Sequence, residues 1–207
     1  DVCQWLQSIA PLSLAEDWDN VGLLIGRHDQ SVASLATCLT LSSDVVVQLI
    51  ERNVDMVVSH HPLPFRPLAK IHDRDSASKL VLDLIQAGIA VYSAHTAFDS
   101  AVGGINAMWA DRLNLLRPRP IIPNEDDANV GKGRIGDLPE AMMVSKLAEL
   151  CGPSHRVRFT GDPKRSVRSV AIACGSGGSF LSGAIKAGCN VLVTGEATYH
   201  TCLEARS

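Results

Sequence analysis

The sequence predicts an α/β fold built from two related βαβ-type halves, with mostly parallel sheets and helices on the faces. Three observations carry this. The apolar runs VDMVVS (54–59), IAVYSA (89–94) and VLVT (191–194) are continuous and do not alternate, as strands covered on both faces require. Segments of helical periodicity separate the apolar runs, which reads as βαβ units. One stretch also echoes another. SLATCLTLSSDVVVQLIERNVDMVVSHH from Ser34 lies without a gap on SVAIACGSGGSFLSGAIKAGCNVLVTGE from Ser169, an offset of 135 (34 to 169). Leu35 then falls on Val170, Ile50 on Ile185 and Val58 on Val193. Identities are few, so common βαβ grammar explains the echo as well as duplication does.

In order, residues 2–9 form a short helix with Asp1 as its N-cap. A loop holding Trp18-Asp19-Asn20 leads to a strand at 21–25, closed by Gly26. Strand 35–41, helix 44–52, strand 54–59, helix 77–87, strand 89–94 and helix 104–113 complete a first half over 1–116. Residues 117–137 hold Pro118, Pro120, Pro123, the acidic run Glu125-Asp126-Asp127 and three glycines, and read as a linker or irregular loop. The second half, 138–207, brings helix 140–150, strands 156–159 and 170–174, helix 180–187, strand 190–194 and helix 198–206. The chain begins at Asp1 without a Met and stops inside that last helix, as a piece of a longer protein would.

Composition narrows the function classes. With 46% hydrophobic and 20% charged residues, the chain has enough apolar material for a core. A formal net charge of -3 without a basic run gives no support for nucleic-acid binding. No apolar stretch approaches the roughly 20 residues that span a bilayer. Six cysteines without CxxC spacing read as small buried hydrophobes in a reducing, cytoplasmic compartment.

The residues that carry chemistry stand past strand ends, where open parallel sheets bind ligands. Ser59-His60-His61-Pro62 follows VDMVV. Adjacent side chains on extended backbone point apart, an arrangement suited to two neighbouring ions and poorly suited to clamping one. Hydrogen-bonded loop histidines are the competing reading. The next strand ends in His95-Thr96-Ala97-Phe98-Asp99, and a right-handed crossover brings both strand ends to the same side. A carboxylate such as Asp99 can bridge two divalent ions; it can equally be a helix cap or turn residue. Gly195-Glu196 stands where the echo places His60-His61, and Glu196 and His200 share a face if both are helical. Gly175-Ser176-Gly177-Gly178-Ser179 reads as a tight turn, or as an anion cradle that lacks the Lys-Ser/Thr of a P-loop.

LAEDWDNVGLLIG (14–26), DMVVSHHPLPFRPL (55–68), VYSAHTAFDSAVGGIN (91–106) and VLVTGEATYH (191–200), in this order, resemble the Ngg-interacting-factor-three-like family, also called type-2 GTP cyclohydrolase homologs. The resemblance implies that His60, His61 and Asp99 ligate a pair of divalent metal ions, of zinc, iron, manganese or nickel. It implies two further ligands, a His and a Glu, on a segment after the TGE strand that this chain does not reach. It also implies a toroidal homohexamer. The expected function is metal-dependent hydrolysis of an unknown small molecule, with His95 shuttling protons and Glu196 and His200 positioning substrate. A non-enzymatic metal-binding ring or partner-binding scaffold is the alternative, and a nucleotide-binding module on Gly175–Ser179 a third.

Overall fold

A computed structural model describes residues 1–207, which divide into two compact units, Asp1–Phe98 and Asp99–Ser207. Both are α/β. The first contains α1 (Val2–Ile9), β1 (Gly22–Ile25), β2 (Leu35–Cys38), α2 (Ser43–Glu51), β3 (Met56–Ser59), α3 (Ser76–Gln86) and β4 (Ala90–Ser93). α4 (His95–Ser100) crosses the boundary. Its sheet has the order β1-β4-β3-β2; β2, β3 and β4 run parallel and β1 is an antiparallel edge.

Alternation along these strands serves two cores. Val57 and Val91 point to one face, against Val46 and Leu49 of α2 and Leu80, Val81 and Leu84 of α3. Met56, Ala90 and Tyr92 point to the other, against Val2, Cys3 and Leu6 of α1. Covering both faces explains the continuous apolar runs. A fully buried side chain such as Leu84 contributes about 1.5–3 kcal/mol through its burial. Asp1 caps α1 by accepting from the Cys3 N–H at 2.9 Å, Ser42 caps α2, and Asp75 caps α3 at 2.9 Å from the Ser78 N–H.

The second unit contains α5 (Ile105–Arg112), β5 (Leu116–Arg119), β6 (Ile122–Pro123), β7 (Gly131–Lys132), β8 (Arg134–Met143), α6 (Val144–Cys151), β9 (Ser166–Ala173), α7 (Leu181–Lys186), β10 (Val191–Thr194) and α8 (Tyr199–Glu204). Its main sheet has the order β10-β9-β8-β5. Only β9 and β10 are parallel; β8 pairs antiparallel with β9 and β5. One face packs Leu147 of α6 and Ala110 of α5 on Val167 and Val170, and the other packs Ala184 of α7 on Ile135 and Ala171.

The echo between the halves reappears as register. Leu35 pairs with Met56 and Cys38 with Ser59; Val170 pairs with Val191 and Ala173 with Thr194, each 135 positions on. The correspondence extends to a side chain: Ser59 Oγ donates to the His61 carbonyl at 2.9 Å, and Thr194 Oγ1 to the Glu196 carbonyl at 3.2 Å.

Residues 117–137, expected as a linker or irregular loop, lie in the second unit and carry parts of β5 and β8 and all of β6 and β7. The prolines mislead because they occupy an edge strand and a two-stranded ribbon, where a missing N–H is tolerated. Gly131 is required there: at φ 144° a Cβ would lie 2.2 Å from the Ile122 carbonyl oxygen. The expected strand at 156–159 is a turn and unpaired chain; β8 takes its place beside β9. β8 was hidden because Pro139 interrupts it, at a register shift between Asp137 and Met142. No helix is long and apolar enough to cross a membrane.

Candidate metal centre

The candidate site stands at the C-terminal ends of β3 and β4, within the first unit. The strands end on a paired position, Ser59 opposite Ser93, and both serines are buried. Their hydroxyls fix the next residues: Ser59 Oγ donates to the His61 carbonyl, and Ser93 Oγ to the His60 carbonyl at 2.7 Å. The His60 and His61 N–H groups continue the ladder onto the Cys38 and Leu39 carbonyls at 3.1 and 2.9 Å. The His-His backbone is thus held from both neighbouring strands.

β4 passes directly into α4, and the junction residue is His95, at φ 28°. A non-glycine residue in this region is costly and is held only where its surroundings fix it. Asp19 does so. Its buried carboxylate accepts from His95 Nδ1 at 2.8 and 2.9 Å, from the Thr96 N–H at 3.1 Å, from the Thr96 hydroxyl and from the Asn20 N–H at 2.8 Å. Thr96 Oγ1 in turn accepts from the Glu16 N–H at 3.0 Å. Burial raises the Asp19 pKa, but the hydrogen bonds from Thr96 and His95 outweigh it and hold the carboxyl below its ordinary value.

The outcome is a cluster of three imidazoles. Ring centroids lie 5.1 Å apart for His60 and His61, 5.2 Å for His60 and His95, and 5.8 Å for His61 and His95. One ring nitrogen from each lies within 4.8 Å of the other two, so the cluster could hold a metal ion. Two observations fit that chemistry. His95 Nδ1 faces the Asp19 carboxylate, and His61 Nδ1 lies 2.7 Å from Thr40 Oγ1. An imidazole that donates from Nδ1 keeps its lone pair on Nε2, the arrangement typical of ligating histidines. Burial, then the neighbouring His95 and His61, push His60 down to about 4; burial and His95 lower His61. Both rings are therefore neutral near pH 7, as ligation requires.

His95, expected as a proton shuttle, thus shares the cluster with His60 and His61. Asp99 lies one helical turn further along α4 and opens the second unit. Asn106, itself buried, donates to the Asp99 carbonyl at 3.0 Å and accepts from the Cys174 N–H at 2.8 Å, which secures the end of α4. Arg134, also buried, donates to the Ala101 carbonyl at 2.8 Å just beyond. Burial, then the Asp99 charge, push Cys174 up to about 12, so it stays a thiol. All six cysteines are free.

Glu196 and His200 belong to the second unit, and both are exposed. They do not share a helix face, because α8 begins at Tyr199 with Thr198 as its N-cap and leaves Glu196 outside. The i,i+4 argument fails on that cap. The Gly175–Ser179 segment is a turn that passes into a 3-10 helix at Gly177–Phe180, and Thr194 Oγ1 accepts the Gly177 N–H at 2.9 Å. Sequence reasoning missed Asp19, Thr40, Ser59, Ser93 and Thr96 as supports. The only available signal was that Asp19, Ser59, Ser93 and Thr96 lie in the WDN, SHHP and SAHT segments; Thr40, just past β2, carried none.

A family model described as Duf34/NIF3 (NGG1p interacting factor 3) matches residues 1–207. The chain belongs to this family. A Clostridium acetobutylicum protein named GTP cyclohydrolase 1 type 2 homolog is 34% identical over 204 residues, covering 97% of this chain and 76% of its own length. A Drosophila melanogaster NIF3-like protein 1 is 34% identical over 210 residues, 98% of this chain and 70% of its own. The crystal structure of a Bacillus cereus protein related to NIF3 superposes with a TM-score of 0.89 at 22% identity, covering 98% of this chain and 83% of the other, a likeness of fold.

Proposed function

We propose that this member of the Duf34/NIF3 family is a metal-dependent hydrolase of a small molecule, with a dinuclear centre built on His60, His61, His95 and Asp99. The observation that carries the reading is the cluster of three imidazoles, two with their Nδ1 atoms engaged by supporting side chains. Asp99, four residues after His95 on α4, is the carboxylate proposed to bridge the ions; the ligand atoms that the fold gathers within 4.8 Å of one another are those of the three histidines. Imidazole and carboxylate donors suit zinc, iron, manganese or nickel. Divalent ions held there polarise a substrate oxygen and make water a competent nucleophile near neutral pH. The chain's own part is orientation: Asp19 fixes the His95 ring and its tautomer, Thr40 fixes His61, and the Ser59 and Ser93 hydroxyls hold the backbone between them. We also propose a homohexamer in the cytoplasm; six free cysteines accord with a reducing compartment.

Elemental analysis of wild type beside His61→Ala, followed by a hydrolase screen of metal-loaded protein, tests the reading. Bound divalent metal that falls in the variant, together with metal-dependent turnover, is expected. Equal metal content in the two proteins refutes the centre. Metal binding without turnover, with Asp99→Asn altering only assembly seen by light scattering, leaves the scaffold reading in its place.

A further inference from the structure

Beside His95 stand two aromatic side chains to which the metal reading assigns no role. Trp18 is 61% exposed and Phe65 43% exposed, yet their rings lie 6.0 Å apart, edge to face at 65°, and each lies edge to face with the His95 ring at 6.2 Å. The backbones that carry them are fixed. Trp18 precedes Asp19, whose carboxylate is buried among four donor groups, and Phe65 follows Pro64, whose carbonyl accepts from Asn20 Nδ2 at 2.7 Å. Exposed large apolar rings on anchored loops, turned toward a candidate reaction centre, lose little freedom when a flat partner stacks on them. Trp5 makes the contrast: it is equally exposed on α1 and has no ring beside it. The next residue after Phe65 adds charge. The Arg66 guanidinium is exposed and lies over the Phe65 ring, 5.4 Å from its centroid, a cation on that side of the corner.

We infer that Trp18 and Phe65 form a platform for the planar heteroaromatic ring of the substrate, stacked on the Trp18 face with the Phe65 ring at its edge, and that Arg66 receives an anionic group on the same molecule. The substrate class is therefore a ring-bearing anion of the nucleotide kind. The inference rests on the hydrolase reading only in taking the stacked molecule as the substrate; ring binding itself requires no metal.

Calorimetric titration of the full chain with adenosine 5′-monophosphate, adenosine and ribose 5-phosphate, with and without chelator, tests it. The nucleotide binds more tightly than ribose 5-phosphate. Trp18→Ala weakens it about tenfold, as loss of one base–aromatic stack does, and Phe65→Ala weakens it less. Trp18→Phe largely restores it, Arg66→Ala removes the preference for the nucleotide over adenosine, and metal content stays at the wild-type level throughout. Equal affinity for the nucleotide and ribose 5-phosphate, or wild-type affinity in both alanine variants, overturns the platform. So does a change in oligomeric state with nucleotide affinity unmoved, which assigns the rings to an interface between copies. If the protein holds no metal but the alanine variants still lose the nucleotide, the platform stands and the hydrolase reading falls.

Discussion

Asp19→Asn separates a residue that tunes the histidine cluster from one that merely fills space. The carboxylate receives His95 Nδ1, the Thr96 N–H and hydroxyl, and the Asn20 N–H on two oxygens. An amide of the same shape offers one acceptor oxygen and an NH₂ donor, so at least one of these donors meets another donor. A buried donor left unsatisfied costs about 1–3 kcal/mol. The cheapest release is a shift of the His95 proton from Nδ1 to Nε2, which lets the Asn NH₂ donate to Nδ1. That shift removes the lone pair that faces the cluster. Metal affinity should then fall about 10- to 100-fold, or about 1.4–2.8 kcal/mol. Chelator competition at neutral pH measures this, with circular dichroism checking that the variant is folded. A folded Asp19→Asn protein with wild-type metal affinity would refute the claim that Asp19 sets the His95 tautomer.

Two further outcomes follow from the same network. Asn106→Ala removes the link between the Asp99 carbonyl and the Cys174 N–H, and should lower stability by about 1–3 kcal/mol, read from the denaturant midpoint; an unchanged midpoint would show that water replaces the amide. The metal-free protein should lose stability as pH falls from 6.5 toward 4, because His60 is depressed to about 4 when folded and regains its ordinary value when unfolded. In that window the unfolded chain binds more protons, so stability rises with pH and is complete above the unfolded value. The lowered His61 acts in the same direction. Thermal unfolding temperatures across the window check this, and His60→Asn should flatten the dependence; an equal slope in the variant places its origin elsewhere.

Chain order and side-chain type by themselves determined the α/β class, the βαβ echo with its register, and the position of His60, His61 and His95 just past strand ends. These are readable because burial on two faces imposes continuous apolar runs, and because a strand end is marked by the residue at which such a run stops. Only the tertiary structure decided which residues support the site. Asp19 reaches His95 across 76 positions, and Ser93 reaches His60 across 33. Contacts of that kind leave no local period, since they depend on where loops return and not on spacing along one element. The edge prolines of β5 and β6 and the interrupted β8 were likewise hidden, because pairing partners, and not propensity, make those segments strands. Helix α8 shows the converse: Glu196 and His200 are four apart in the chain, but the Thr198 cap lies between them, and periodicity has no meaning until the helix begins.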